Sequence, residues 1–287
     1  MKPAALRPGS RPGGGVRRTK PVRRASAGLT PVRAGAALAL LVAAGGLYGA
    51  VSSDLFNARA TEVRGNTWTA EDAILAAMAV PAGQNVFTVK TSELETRIEA
   101  LPSVAGAEVR VVLPDRLAVD VAERTALLGW RVGERTFLVG ADGMLFAELA
   151  GDAPRDAAAL PRIVDRRAEA AGLGVGSVID PVAFDAALRL GSLDAADVGS
   201  TASSLAIRVD DTNGFVLDGE PAGWKAIFGF YTPTLRTTDL IPGQVRLLRS
   251  LMLANDEDEV LRVILADERS GTWIPRSTAA PSASPKP

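Results

Sequence analysis

Histidine and cysteine are both absent from the 287 residues of the chain. Without them the chain has no imidazole base for a Ser-His-Asp triad and no thiol nucleophile. It also lacks the usual ligands of zinc, copper, haem and iron–sulfur centres. With no disulfide, any part outside the cytoplasm must be held together by its apolar core. We therefore expect no catalytic residue, no cofactor and no metal site.

Acidic side chains are absent from residues 1–33, which carry nine Lys and Arg residues. The rest of the chain holds 23 basic and 33 acidic groups, so the two parts have opposite net charge. Residues 1–33 are rich in Pro, Gly, Arg and Ala and lack apolar periodicity, which predicts a disordered tail. The tail has no aromatic residue to stack on bases, and we do not expect nucleic acid as a partner.

Residues 34–53 contain no charged side chain and form a long apolar segment. A helix of this length reaches about 30 Å, the thickness of the hydrocarbon core of a bilayer. Six of the nine basic residues closely precede this segment, and Asp54 follows it. The positive-inside rule then predicts a single-pass anchor in the cell membrane, with the N-terminus in the cytoplasm and the residues after Val51 outside.

Two other interpretations of the apolar segment stay open, a cleaved secretory signal and a buried helix of a soluble protein. Ala58-Arg59-Ala60 suits a signal cleavage site. The segment is, however, longer than the usual core of a signal, and cleavage after Ala60 would cut into the first predicted strand. We favour the anchor.

A small module with two helices and three strands is predicted after the anchor. Residues 56–66 are typical of a short strand closed by a Gly-Asn turn, and residues 69–72 suit a helix start of the capping-box type. A second helix is predicted to start at Thr91 or Ser92 and to stop at Pro102.

Two alternating strands complete this module. Apolar side chains alternate from Val109 to Leu113 and again from Leu117 to Val121, with a turn between the two strands. The order is β-α-α-β-β, which predicts an antiparallel sheet with two helices on one face. Such a sheet has free edges and builds no deep pocket, so the module suits docking.

Four segments of this module resemble a known family. They are VRGN at 63–66, GQNVFTV at 83–89, LPSVAGAEV at 101–109 and LPDRLAVDVAER at 113–124. In this order, behind one N-terminal anchor, they resemble the polypeptide-transport-associated (POTRA) module of the bacterial division proteins FtsQ and DivIB. The resemblance covers about residues 34–270.

A second, β-rich module is predicted from residue 125 to 274. Asp142-Gly143 between apolar segments predicts one hairpin, residues 160–164 predict a strand, and residues 204–217 predict another hairpin. Further elements are a short helix at Phe184, Ala187 and Leu188, a helix carrying Trp224, Ile227, Phe228 and Tyr231, a helix from Pro242 with Val245, Leu248 and Met252, and a last strand from Val260 to Leu265.

The predicted fold class is α+β, with one transmembrane helix, a POTRA-like module and a mixed β domain with flanking helices. The predicted domains are a basic cytoplasmic tail at 1–33, a transmembrane helix at 34–53, the POTRA-like domain at 56–124, the β domain at 125–274 and a disordered tail at 275–287.

Candidate catalytic groups have simpler structural explanations. Lys90 and Ser92 could form a Ser-Lys dyad, but Lys90 precedes a helix start and Ser92 suits an N-cap. Lys225 suits a solvated position on a helix. The pair Asp210 and Asp211 and the acidic residues 256–259 lack the spacing of a calcium loop, and solvated turns are expected there.

The resemblance implies a non-catalytic scaffold of the divisome, the assembly that builds the septum. Its partners would be the small anchored coiled-coil proteins FtsB/DivIC and FtsL, through which it would help regulate septal peptidoglycan synthesis. We place the partner site on the last strand, where an edge would pair with an extended segment. Arg269, in Asp267-Glu268-Arg269, resembles a family position near that edge, while Trp273 suits either a partner contact or a cover over its own domain. The predicted partner-binding residues are Val260, Arg262, Ile264, Arg269 and Trp273.

Two other functions stay open. A POTRA-type chaperone for protein transport would use the same kind of sheet edge, but it would normally carry several such modules or a barrel. A cell-wall enzyme with an unusual catalytic set is disfavoured by the missing His and Cys.

Overall fold

A computed structural model describes residues 30–149, 157 and 159–276 of the chain. Its contacts divide the chain into two units, with the division between Ser52 and Ser53. The predicted tails lie outside the described residues, except for residues 30–33 and 275–276.

The first unit contains helix α1, Pro31–Val51, the one described helix that is long and apolar enough to cross a membrane. It begins three residues before the predicted span, because proline is favoured at the first helical position and Thr30 caps the helix. The hydroxyl oxygen of Thr30 accepts a hydrogen bond from the backbone N–H of Arg33, at 3.4 Å. Residues 31–33, predicted as tail, are therefore helical.

The second unit begins with the predicted order β-α-α-β-β. Its elements are β1 Ala60–Arg64, α2 Glu71–Met78, α3 Thr91–Glu99, β2 Val104–Val112 and β3 Arg116–Glu123. The three strands form one sheet in the order β1-β3-β2. The prediction of an antiparallel sheet is wrong for one pair, because β1 runs parallel to β3. Two helices lie between β1 and the hairpin, and a long connection of this kind allows parallel pairing.

The two helices and the sheet share one apolar core. Its buried residues are Ile74, Met78, Leu94, Ile98, Val104, Val109, Leu117, Val119 and Val121. These positions recur at helical spacing in α2 and α3 and alternate along β3, so the core follows the periodicity of the sequence.

The prediction of a capping-box start for the first helix, at residues 69–72, is wrong. Helix α2 has Ala70 at its N-cap and no side-chain hydrogen bond there. The Thr69 hydroxyl is instead hydrogen-bonded to Ser103, at 2.5 Å. The Glu123 carboxylate of β3 accepts the backbone N–H groups of residues 67–69 at 2.7–3.0 Å. Glu123 thus fixes the segment that precedes α2, and no side chain caps the helix itself.

In the described residues after β3, a sheet of nine strands is accompanied by two α-helices. The elements are β4 Leu128–Val132, β5 Arg135–Val139, β6 Leu145–Glu148, β7 Arg162–Asp165, α4 Pro181–Gly191, β8 Ser204–Asp210, β9 Gly214–Glu220, β10 Lys225–Gly229, α5 Ile241–Ala254, β11 Val260–Leu265 and β12 Gly271–Pro275. The strand order is β12-β11-β10-β9-β8-β7-β4-β5-β6. Both predicted hairpins, β5–β6 and β8–β9, are confirmed.

The helices α4 and α5 pack against the main core of this sheet, which confirms the predicted helices at Phe184 and after Pro242. The prediction of a helix over residues 224–231 is wrong, because the strand β10 occupies Lys225–Gly229. Trp224, Ala226 and Phe228 are all fully buried, so the true period is two. Pairing with β9 on one side and β11 on the other outweighs the weak helical spacing of four aromatic and aliphatic side chains.

The chain stays ordered slightly beyond the predicted domain end at 274. Pro275 belongs to β12, and the Arg276 guanidinium donates hydrogen bonds to the backbone carbonyls of Ala222, at 2.7 Å, and Val260, at 3.2 Å. The predicted disordered tail is therefore wrong for residues 275 and 276.

Candidate functional site at the C-terminal sheet edge

The predicted partner site lies on β11 and β12 and in the turn between them. β12 pairs antiparallel with β11 and is the last strand of the sheet, so β11 lies beside the edge and β12 forms it. β11 runs parallel to β10 on its other side.

The five predicted residues divide between the two faces of the sheet. Arg262 and Ile264 are exposed, whereas Val260 is only 1% exposed and belongs to the main core. Trp273 lies opposite the fully buried Val263, and it is partly buried against the core. The structure thus separates Arg262 and Ile264 from the core-facing side chains of Val260 and Trp273. Regular alternation would put Val260 on the same face as Arg262 and Ile264, but an irregularity in the β11–β12 register between Val260 and Arg262 turns Val260 to the core.

A small mixed patch covers the outer face beside the edge. Ile264 lies opposite Ile227 of β10 and Thr272 of β12, and Arg262 lies opposite Lys225 and Ile274. Cationic and apolar side chains therefore alternate along β10 and β11, with Thr272 and Ile274 beside them on β12. Such a surface suits a partner segment with apolar and acidic residues.

Arg269 lies in the turn between β11 and β12. Its side chain is 89% exposed, and its guanidinium is 3.8 Å from the Glu268 carboxylate, an ion pair worth at most about 1 kcal/mol. The neighbouring Asp267 carboxylate accepts the backbone N–H groups of Arg269 and Ser270, at 2.7 Å and 2.6 Å, and these hydrogen bonds lower the pKa of Asp267. Asp267 thus shapes the turn, and Arg269 remains available to a partner.

A buried polar clamp, which the sequence did not suggest, joins the ends of β10 and β11. The Gln244 amide donates to the carbonyls of Phe228 and Leu265, at 3.2 Å and 3.0 Å, and the Arg236 guanidinium donates to the same two carbonyls, at 2.7 Å and 2.9 Å. The Tyr231 hydroxyl donates to Gln244, and burial raises the pKa of Tyr231. No sequence periodicity marks Arg236 or Gln244, because both bind backbone carbonyls of β10 and β11.

A second polar cluster fixes the start of β11. Glu257, predicted to lie in a solvated acidic turn, instead accepts hydrogen bonds from the Trp224 indole at 2.7 Å and from the backbone N–H and hydroxyl of Thr201 at 2.8 Å and 2.6 Å. The Ser200 hydroxyl is a further donor. Burial alone would raise the pKa of Glu257, but these hydrogen bonds outweigh it and lower the pKa.

The Glu257 cluster should make the fold sensitive to acid. Because the pKa of Glu257 is lower in the folded chain, its stabilisation is complete above the unfolded value of about 4.3 and is lost as the pH falls through the folded value. We expect Glu257→Gln to lower the free energy of unfolding of residues 53–287 by about 2 kcal/mol at neutral pH, with a smaller difference at about pH 3. Urea titrations at both pH values check this. Glu259→Gln, at an exposed position of the same turn, is the control; a pH-independent effect of Glu257→Gln would contradict the prediction.

Other sheet edges of the described part are less open than β12. At β2, the Glu95 and Glu99 carboxylates of α3 accept the backbone N–H groups of Val109 and Ala107, at 2.9 Å and 3.3 Å. At β6, the residues around Ser177 pair with the Leu145 backbone, at 2.7–2.8 Å.

The edge at β1 is open along part of its length but is marked by charge. Glu62 and Arg64 form an exposed ion pair at 2.6 Å along this strand. Charged side chains on an edge disfavour pairing with another strand. The edge at β12, beside apolar and cationic side chains, is therefore the best candidate in the described part of the chain.

The candidate catalytic groups have structural roles. The Lys90 ammonium is 2.8 Å from the Glu93 carboxylate, and this hydrogen bond raises the pKa of Lys90, the opposite of what a general base needs. Helix α3 has Lys90, and not Ser92, at its N-cap. Lys225 is exposed on the strand β10 and not on a helix, so that expectation is corrected. Among the described residues, no group of three Asp or Glu side chains could hold a metal ion.

Comparisons with known proteins give the following likenesses. Residues 56–124 match the family model described as POTRA domain, FtsQ-type. Three of the relatives that bear the name Cell division protein FtsQ illustrate the likeness. The one from Syntrophotalea carbinolica is 31% identical over 206 residues, 70% of this chain and 71% of the relative. The one from Streptomyces venezuelae is 34% identical over 126 residues, 44% of this chain and 45% of the relative. The one from Koribacter versatilis is 32% identical over 116 residues, 38% of this chain, and this match spans only 33% of the relative.

Proposed function

Because the chain belongs to the FtsQ family of cell division proteins, we propose that it is a non-catalytic, membrane-anchored scaffold of the divisome. In this role it binds FtsB/DivIC-type and FtsL-type partners and helps regulate septal peptidoglycan synthesis at the division site. The observation that carries the proposal is the edge strand β12, which has no described strand on its outer side.

The proposed mode of binding is strand addition to β12. An edge strand offers backbone N–H and C=O groups to an extended partner segment, and the side chains beside it supply specificity. Ile264 and Ile274 give apolar contacts, while Arg262 and Arg269 attract carboxylates. The Gln244 and Arg236 clamp holds β10 and β11 in place, so the edge is preorganised before the partner arrives.

The proposed topology follows from the charges around α1. The basic residues before the helix keep the N-terminus in the cytoplasm, and the second unit lies outside the membrane. This places the β12 edge where small anchored partners present their own extracytoplasmic segments.

Depletion of the protein from growing cells tests the proposed function. If the chain is a division scaffold, the cells are expected to form filaments while envelope proteins and wall digestion products stay unchanged, and a fluorescent fusion should form a band at midcell. Loss of envelope proteins without filaments would instead indicate a transport chaperone. Altered wall digestion products without a division defect would indicate an enzyme.

The partner site is tested by Arg269→Glu. We expect at least about a tenfold loss of affinity for a soluble FtsB/DivIC-type partner, equivalent to about 1.4 kcal/mol, because the change reverses the charge beside the edge. Folding should be unaffected, since the Arg269 side chain is 89% exposed. The control is Arg246→Glu, the same charge reversal at an exposed position of α5. Equal binding by both folded variants in calorimetry would exclude this edge as the main contact.

Trp273→Ala is a second variant at the edge. Because Trp273 packs against the main core, this change is expected to lower stability as well as affinity. Its binding is therefore interpreted only at temperatures where circular dichroism shows the variant to be fully folded.

A further inference from the structure

One end of the three-stranded sheet exposes four large apolar side chains. Leu55 is 58% exposed, Phe87 49%, Val112 44% and Leu113 56%. They come from three segments that are far apart in sequence. A cluster of this kind is unusual on a soluble surface and indicates an interaction site.

Backbone contacts bring the three segments together. The Arg59 N–H donates to the carbonyl of Asp115 at 2.9 Å, and the Ala58 N–H donates to the carbonyl of Gln84 at 2.8 Å. The start of β1 therefore lies beside both the β2–β3 turn, residues 113–115, and the loop before α3, residues 84–88.

Side chains strengthen this arrangement. The rings of Phe56 and Phe87 are 5.1 Å apart between centroids, with their planes tilted by 57°. Pairs with this separation are favourable contacts. The exposed face of Phe87 is thereby fixed relative to residues 54–58. We call residues 54–58, 84–88 and 112–115 together the apolar end.

Chain connectivity places the apolar end close to the membrane. Helix α1 ends at Val51, and only three residues separate Val51 from Leu55. A fully extended chain covers at most about 14 Å between these two residues. The headgroup zone on each side of a bilayer is about 5–8 Å thick. Leu55 therefore cannot move far from the lipid surface when α1 spans the membrane.

We propose that the apolar end docks into the interface of the lipid bilayer, with Leu55, Phe87 and Leu113 at the boundary between headgroups and acyl chains. Phe and Leu side chains are typical of surfaces that lie in this zone. The proposal rests on the anchor part of the proposed function and on no divisome partner.

The charges around the apolar end suit the headgroup layer. Arg116 is exposed beside the apolar side chains, and so is Arg59, whose guanidinium also donates to the Asp54 carbonyl at 3.2 Å. Long cationic side chains can reach phosphate groups while their stems stay in apolar surroundings. The nearby acids have contacts within the protein: Asp54 accepts a hydrogen bond from Asn57 at 3.0 Å, and Asp115 is half-buried.

The absence of cysteine allows a direct test on the full chain. Single cysteines at Phe87, Leu113 and, as the control, Leu253 are labelled with a nitroxide, and each chain is reconstituted into phosphatidylcholine vesicles with a minority of phosphatidylglycerol. Leu253 is 68% exposed on α5 and matches the other sites in being apolar and accessible. The measurement is the collision rate of each nitroxide with oxygen, which concentrates in lipid, and with a water-soluble nickel chelate.

We expect an oxygen-to-nickel ratio at positions 87 and 113 that is at least about threefold higher than at position 253, as for side chains at interfacial depth. Equal ratios at the three positions would overturn the proposal. Low collision rates with both reagents at 87 and 113 would also overturn it, because they would indicate burial against a second copy of the chain.

A second measurement tests whether the side chains cause the docking. A nitroxide at position 55 reports depth in the full chain carrying Phe87→Ser and Leu113→Ser, with Leu253→Ser as the control. The double change should lower the ratio at position 55 at least about twofold, and the control should leave it unchanged. An unchanged ratio in the double variant would show that the anchor alone sets this depth and would overturn the proposal. Filament formation on depletion is independent of both results, so failure here and failure of the division function are distinguishable.

Discussion

Val119→Asp is expected to lower the free energy of unfolding of residues 53–287 by about 4 kcal/mol. Val119 is fully buried on β3, the central strand of the three-stranded sheet, and it lies opposite Val63 of β1 and Val109 of β2. Its side chain belongs to the core shared with α2 and α3. A carboxylate there loses its hydration and gains no partner, which explains the large cost.

The control for this change is on the same strand. Ala122 is exposed on β3, so Ala122→Asp keeps the new charge in water and should cost less than about 1 kcal/mol. Urea denaturation followed by circular dichroism compares the two variants. A Val119→Asp variant as stable as Ala122→Asp would mean that the helices cover the other face of the sheet.

Gly214→Ala is expected to cost about 3–4 kcal/mol, because two penalties add at this position. The residue has φ of +67°, a conformation that costs an L side chain about 1–2 kcal/mol. An added Cβ would also lie 2.3 Å from the carbonyl carbon and oxygen of Gly229, at the end of β10. Backbone atoms cannot turn aside as a side chain can, so β9 and β10 would have to separate locally.

Gly133→Ala separates the two penalties. Gly133 has a similar φ, +59°, but nothing lies within 4 Å of an added Cβ. We expect this variant to lose only about 1–2 kcal/mol, the conformational part. Thermal unfolding of residues 53–287 measures both. If both variants lose the same free energy of unfolding, the contact between β9 and β10 at Gly214 is not tight.

The features that sequence patterns predicted well depend on local regularity. The apolar segment of α1 and the alternation of Leu117, Val119 and Val121 repeat over a whole element, so each residue supports the same assignment. The turn at Asp142-Gly143 was equally clear, because Gly143 has a positive φ in the structure and such a turn favours glycine.

Sequence patterns failed where pairing with distant strands decided the outcome. Residues 224–231 fit a helical spacing and also contain the alternation of a strand, and these eight residues are too few for either period to prevail. Pairing with Val216 of β9 and Ile264 of β11 stabilises Ile227 in a strand. The parallel pairing of β1 with β3 has the same origin, because it depends on the path of the chain through two helices.

In the candidate site, too, some features follow from local sequence patterns and others depend on pairing between distant strands. From the sequence alone, the residues Val260 to Leu265 were predicted as a strand at or beside an edge, and Arg269 was singled out. Which of these side chains face outward depends on the register of β11 with β10 and β12. The clamp of Arg236 and Gln244 gave no sequence signal at all, since a polar side chain that binds carbonyls of other strands has no local period.

The sequence by itself determined the apolar helix that is long enough to cross a membrane, the β-α-α-β-β module and the family resemblance, because apolar periodicity and turn residues act over a few neighbouring positions. Only the tertiary structure decided that β12 forms the edge, that Val260 and Trp273 face the core, and that the segments carrying Leu55, Phe87 and Leu113 lie beside one another. These features depend on backbone pairing between residues that are tens of positions apart. Such pairing is selected by the packing of the whole unit and leaves no regular pattern in the chain.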